Sequence, residues 1–240
     1  MKRPDSEFLD TTQDGKFKAI PYLKYLPWVG LKYRASLPSE RLLIVAESVY
    51  DSGNGSDAAL KMLDDPCFAR YVLKEQGLFF TLDQIWQGAR VSKLLRGIER
   101  ALLGKRWVTE PEQERLWTSI SFHEFVQRHM KDRYTRPTKG DYQVGAKVLC
   151  SVIALLEPSV VLFLGTDWRK FQAIESECEC KVQWHEKING SSPKIIEMKS
   201  DGRGTKIIMI RHPSKYFSWS KWHELTKKEM PGVVAHLGSL

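Results

Sequence analysis

The sequence predicts an α/β protein with a central, mainly parallel, four-stranded sheet flanked by helices. Three observations carry that expectation. Short uninterrupted apolar runs, such as Leu42-Leu43-Ile44-Val45-Ala46 and Val160-Val161-Leu162-Phe163-Leu164, are typical of strands covered on both faces. Segments with apolar residues three and four apart separate these runs, as crossover helices do. Each run also ends in a polar or glycine-containing loop, at 47–55, 123–124, 165–167 and 211–218. Ligands of such sheets bind beyond the carboxyl ends of the strands.

The elements follow in order. Residues 1–36, with Pro4, Pro21 and Pro27, read as an N-terminal extension whose aromatics at 21–28 pack on the body of a single domain, 1–240. The first strand is Arg41–Ala46, and a helix is expected over about 57–75. A better-defined helix carries Leu82, Ile85, Trp86, Leu95, Ile98 and Leu102 on one face, with Arg90, Lys93, Arg96 and Arg100 on solvated faces. A second strand is expected from about Leu116 to Phe122, followed by His123-Glu124 and a basic loop over 131–139. Thr138-Lys139-Gly140-Asp141 has capping-box spacing ahead of an apolar helix that Pro158 ends. The third strand, Val160–Leu164, meets Gly165, and Thr166 or Asp167 can cap the next helix. The fourth, Lys206–Ile210, runs straight into Arg211-His212-Pro213-Ser214.

Composition narrows the class. At 240 residues, 42% hydrophobic and 28% charged, the chain has material for one sizeable core, which excludes a disordered or collagen-like protein. No stretch reaches the roughly 18–20 apolar residues of a membrane span, and the polar start argues against a secretory signal. Four cysteines are too few and too irregular for a disulfide scaffold, so a reducing, cytoplasmic setting is expected. Cys178-Glu179-Cys180 has neither cluster nor zinc spacing, so no metal or other cofactor is expected. A net charge of +8 suits a polyanionic partner.

Two loops supply the chemistry. Val45-Ala46-Glu47-Ser48-Val49-Tyr50 follows the first strand, and Arg211-His212-Pro213-Ser214-Lys215-Tyr216-Phe217 follows the last. Together they resemble the uracil-DNA glycosylase superfamily, whose first motif lies after its first strand and whose second reads His-Pro-Ser after its last. The resemblance spans residues 40–220 and includes the strand-to-glycine segment 160–168. It implies hydrolysis of the bond between a pyrimidine and deoxyribose, leaving an abasic site in DNA. Such cleavage builds positive charge on the sugar and negative charge on the departing base. A carboxylate can oppose the first and position water; a histidine donor can stabilise the second, as an oxyanion hole does.

In that light Glu47, or Asp51 in the same loop, positions water, and His212 is the donor to the leaving base. Ser48 stands where the best-known members carry their water-positioning aspartate. Tyr50 matches the tyrosine that crowds the pyrimidine five-position, and Phe122, Tyr50 or His123 can stack on the base. Glu124 lies near the asparagine that reads the uracil edge in the family. As an ionised carboxylate it would only accept, which suits the amino group of cytosine. Uracil and a modified cytosine are therefore both expected targets, in repair or in antiviral defence. Flipping the base falls to Ser214, which compresses the backbone, and to Lys215, Tyr216 and Phe217 as the wedge, with Arg211 beside them. Thr166, at a helix start, can hold a phosphate. The expected partner is double-stranded DNA, bound by a monomer with no membrane involved. Neither motif places a lysine for a Schiff base, so the reaction expected is monofunctional. A DNA-binding protein of the same fold without the reaction, and an unrelated α/β enzyme of phosphorylated small molecules, are the alternatives.

Overall fold

The computed structural model describes residues 8–50, 63–75 and 92–239, except 133, 179, 189, 201, 202 and 215. The sheet is mixed and has seven strands among these residues, a correction to the four expected. They are β1 (Trp28–Val29), β2 (Leu42–Ala46), β3 (Ser121–Glu124), β4 (Val160–Leu164), β5 (Cys180–Trp184), β6 (Lys194–Ser200) and β7 (Arg203–Ile210), in the order β1-β3-β2-β4-β7-β6-β5. β3, β2, β4 and β7 run parallel to one another. β1 adds antiparallel to β3, and β7, β6 and β5 form an antiparallel meander at the other side.

β2 and β4 are buried along their whole length, as their unbroken apolar runs require. Leu42, Ile44, Leu162, Leu164, Ile208 and Ile210 form one core with α3 (Lys93–Leu103), α4 (Glu110–Ser119), α7 (Trp219–Glu229) and α8 (Pro231–Ser239). Leu43, Val45, Val161, Phe163, Ile207 and Met209 form a second core with α5 (Lys139–Leu156) and α6 (Trp168–Glu177). Alternation along each strand thus feeds two helical layers, giving a three-layer architecture. No helix among the described residues is long and apolar enough to cross a membrane.

The expected strand from Leu116 to Phe122 is corrected. Residues up to Ser119 belong to α4, whose start is fixed by Glu112 accepting the Thr109 backbone N–H at 2.8 Å, with proline in the first turn. Only Ser121–Glu124 is strand. The helices expected over 57–75 and 82–102 are described at Phe68–Glu75, here α2, and at α3; residues 51–62 and 76–91 lie outside the described residues. On α3, Arg96 is not on a solvated face: it pairs at 2.7 Å with Glu99, which is buried and accepts from Trp117 Nε1 at 2.9 Å.

The Thr138–Asp141 capping box opens α5, and Asp167 rather than Thr166 caps α6, accepting the Arg169 N–H at 2.9 Å. In the N-terminal stretch Phe17, Tyr25, Leu26 and Tyr33 are buried. A short helix there, α1 (Asp14–Lys18), is tied to α2 by the two-pronged pair of Arg70 with Asp14, at 2.8 and 2.9 Å.

Candidate functional site

The loop after β3 runs alongside the loop after β2. Phe125 N–H donates to the Ala46 carbonyl at 3.0 Å, Val126 N–H to Glu47 at 2.9 Å and Met130 N–H to Val49 at 2.8 Å. Since Ala46 already pairs with Glu124 in the sheet, this backbone ladder lays Glu124 beside Glu47. Both sit at the carboxyl edge of the parallel strands, where β4 delivers Gly165 and β7 delivers Arg211 and His212.

Glu47 is the hub. Its Oε1 is 2.8 Å from Lys170 Nζ and accepts the Tyr142 hydroxyl at 3.2 Å. Its Oε2 accepts the Tyr50 hydroxyl at 3.5 Å and faces the Arg136 guanidinium at 3.8 Å. Burial pushes this carboxyl upward, but Lys170, Tyr142 and Arg136 outweigh it and hold it below its usual range. Glu47 is therefore ionised. Lys170 reaches it from the buried side of α6, with its side chain 3% exposed and its ammonium 5.6 Å from the centre of the Phe163 ring. Gly165 makes room: a Cβ there would lie 2.8 Å from Lys170 Nζ, and its φ of +109° is glycine territory.

Glu124 is the opposite case. It is buried, its Oε2 has no hydrogen-bond partner among the described residues, and burial together with the Glu47 charge pushes its pKa up to about 8 against the pull of Lys170. At neutral pH it is a carboxylic acid, able to donate as well as accept. It is then the protonated case, which can serve a carbonyl as well as an amino group.

His212 is also neutral at pH 7. Burial first, and then the charges of Lys170 and Arg136, lower its pKa to about 4 against the influence of Glu47. The Ser214 backbone N–H donates to its Nδ1 at 3.3 Å, and the Ser214 hydroxyl lies 2.8 Å from the same nitrogen. With Nδ1 an acceptor, the proton of the neutral ring sits on Nε2, leaving that N–H as a donor. Ser214 is thus engaged in orienting His212.

The other expected residues divide. Ser48 is buried beside Glu47, and Tyr50 is half-buried against it. Phe122 is 1% exposed in the core against Trp117, so it is not brought to the cluster. His123 is fully buried, its Nε2 3.3 Å from the Gln127 amide, and burial lowers its pKa to about 3. Phe217 stacks on Trp222 with ring centres 5.9 Å apart and anchors its loop rather than projecting as a wedge. Tyr216 does project: it is 82% exposed, its φ is +51°, and the Arg211 guanidinium lies 5.4 Å from its ring centre. A non-glycine residue held in that region costs about 1 kcal/mol or more, a kind of strain that clusters at functional loops. The Thr166 carbonyl accepts from Lys194 Nζ at 2.7 Å. Asp51 and Lys215 lie outside the described residues. Among the described residues no group of histidine, cysteine and carboxylate side chains is placed to hold a metal ion.

Lys170, Tyr142 and Arg136 are the partners that motif reading missed. Lys170 left a trace, falling in step with Ala173 and Ile174 on the apolar side of α6. Tyr142 likewise begins the buried stripe of α5. Arg136 left none beyond its place in the basic loop. No protein-family model matches this chain, and no curated protein matches it.

Proposed function

We propose that this protein is a DNA base glycosylase of uracil-DNA glycosylase-like architecture, which hydrolyses the N-glycosidic bond of a flipped-out pyrimidine and leaves an abasic site. The observation that carries the reading is the meeting of three groups in complementary states at one sheet edge. They are an ionised carboxylate (Glu47), a neutral imidazole with its donor on Nε2 (His212) and a buried acid whose Oε2 has no partner among the described residues (Glu124). In the reaction the Glu47 carboxylate opposes the positive charge that builds on the sugar, orients the water that attacks its anomeric carbon and accepts the proton that this water loses. The glycosidic electron pair leaves with the base, and His212 Nε2–H donates to the oxygen on which that negative charge gathers. Glu124 reads the base edge, Tyr216 fills the space the base vacates, and solvent returns a proton to the released base.

Lys170 bears on the monofunctional expectation, because it brings an amine to the site that neither motif contains. Its engagement by Glu47 favours hydrolysis by water over attack by the amine. The same ion pair favours the second reading, a DNA-binding protein in which Glu47 serves only to anchor Lys170.

The test is mass spectrometry of bases released from DNA containing uracil, cytosine, 5-hydroxymethylcytosine or its glucosylated form, with borohydride trapping alongside. One of these bases should be released, no covalent adduct should be trapped, and Glu47→Gln should slow release by about 10²-fold or more while DNA affinity persists. Tight DNA binding with no base released from any substrate would make the second reading correct. A trapped adduct lost in Lys170→Met would overturn the monofunctional one.

A further inference from the structure

Trp168 and Trp184 are 48% and 56% exposed, yet they stack on each other with ring centres 5.8 Å apart and planes 20° apart. Phe171, itself buried, lies against both at 4.8 and 5.7 Å and fixes them. A rigid aromatic pair left half open to water marks a contact surface better than scattered exposed residues do. Its place in the sheet is fixed by register: Trp184 pairs with Lys194, Lys194 with Met209, Met209 with Phe163, Phe163 with Val45, and Val45 with His123. β5 points the same way as β7, so the pair stands on the edge that carries Glu47, Glu124 and His212. β5 is four strands from β2, which at about 4.8 Å per strand is roughly 19 Å. Trp168 comes closer, two residues before Lys170 on α6.

The surroundings are cationic. The Lys194 ammonium lies 5.6 Å from the Trp184 ring centre, and Arg169, paired with Asp167, reaches 5.4 Å from the Tyr142 ring at the rim of the site. Lys194 itself is buried and donates to the Thr166 carbonyl, so the exposed cations next to the pair in sequence are Arg169, after Trp168, and Lys187, three residues after Trp184, against Asp167 and Glu186 among the acids, in a chain of net charge +8.

We propose that the Trp168–Trp184 pair is a stacking platform for an unpaired nucleobase of the bound DNA strand, a few nucleotides from the base that enters the site. Aromatic faces next to basic side chains hold single-stranded nucleic acid without regard to sequence, because every base offers a π-face while phosphates meet the cations. The proposal rests on the DNA reading above and adds to it a grip on the strand a few nucleotides from the reacting one.

The test is fluorescence titration of the whole protein with a ten-nucleotide thymidine oligomer, a matching oligomer of abasic sites, and free glucose. The thymidine oligomer should quench tryptophan emission and bind more tightly than the abasic one. Trp168→Ala and Trp184→Ala should each lose about five- to a hundredfold in affinity for thymidine while the abasic oligomer is unaffected. Trp168→Phe, which keeps a stacking ring, should retain most of the affinity and so control for folding. Equal affinity for both oligomers, or alanine variants that bind thymidine normally, would overturn the platform while leaving base release untouched. Quenching by glucose instead would overturn it in favour of a sugar subsite. A wild-type protein that binds neither oligomer would overturn the platform, and the base-release assay would then decide the glycosylase reading by itself.

Discussion

On the proposed reading, the protonation state of Glu124 decides which base edges the site can satisfy. Uracil presents a donor at N3 and an acceptor at the four-position; cytosine presents the reverse pair. A carboxylic acid carries one donor and one acceptor and can place its proton on either oxygen, so it satisfies both edges, whereas a carboxylate satisfies neither fully. Burial and the neighbouring Glu47 charge keep Glu124 in the acid form up to about pH 8. Base release by the wild type should therefore fall about tenfold per pH unit above 8. Glu124→Gln, whose amide keeps a donor and an acceptor at every pH, should lose that alkaline limb. The measurement is kcat/KM from pH 6 to 10 for both proteins. A limb shared by both would remove Glu124 from base recognition.

At the scale of elements, the His-Pro-Ser loop depends on how closely α3 can approach it. A Cβ on Gly97 would sit 2.7 Å from the Pro213 Cβ and 3.5 Å from the Phe217 ring, so only glycine lets α3 and this loop pack as they do. Gly97→Ala improves the helix by its own propensity, yet it must push Pro213, and His212 beside it, out of place. Base release should drop about tenfold or more with little loss of helix by circular dichroism, since a misplacement near 1 Å can cost about 10²-fold; unchanged release would mean the loop yields freely. The same contrast between local and tertiary signals explains what was legible in the sequence. β2, β4 and the end of β7 announce themselves as unbroken apolar runs, and Thr138-x-x-Asp141 announces α5. β5 and β6 do not, because Lys181, Gln183, Glu197 and Lys199 interrupt them and β5 is an exposed edge. The run from Leu116 to Phe122 suits strand or helix, and the deciding feature, Glu112 closing on Thr109, lies outside it. Glu47, Glu124 and His212 were legible because strand ends place them. Lys170, Tyr142 and Arg136 reach Glu47 only through packing of α6, α5 and the 131–139 loop, and sequence spacing does not encode those distances.

For the molecule as a whole, the buried titratable groups set a pH range for stability. Glu99 and Glu124 are held protonated by burial up to about pH 7 and 8, whereas carboxyls in the unfolded chain release their protons near 4.5. From pH 4.5 upward each therefore favours the unfolded chain increasingly, until its folded pKa is passed. His123 and His212 do the reverse: burial keeps them neutral down to about pH 3 and 4, whereas unfolded histidines take up protons near 6.5. Each thus costs stability as pH falls below 6.5. The slope is about 1.4 kcal/mol per pH unit for each group. Between 4.5 and 6.5 the two acids and the two histidines cancel. Above 6.5 the histidines stop contributing and only the acids act, both to about pH 7 and Glu124 alone to about pH 8. The urea midpoint should accordingly stay level from pH 4.5 to 6.5 and fall from 6.5 to 8. Glu124→Gln should abolish the part of that fall above pH 7 and leave the part that Glu99 causes. A wild-type midpoint that climbs from pH 4.5 to 6.5 and then stays level to pH 8 would mean that Glu99 and Glu124 ionise in the folded protein as they do in water, and the neutral reading acid at the site would go with it.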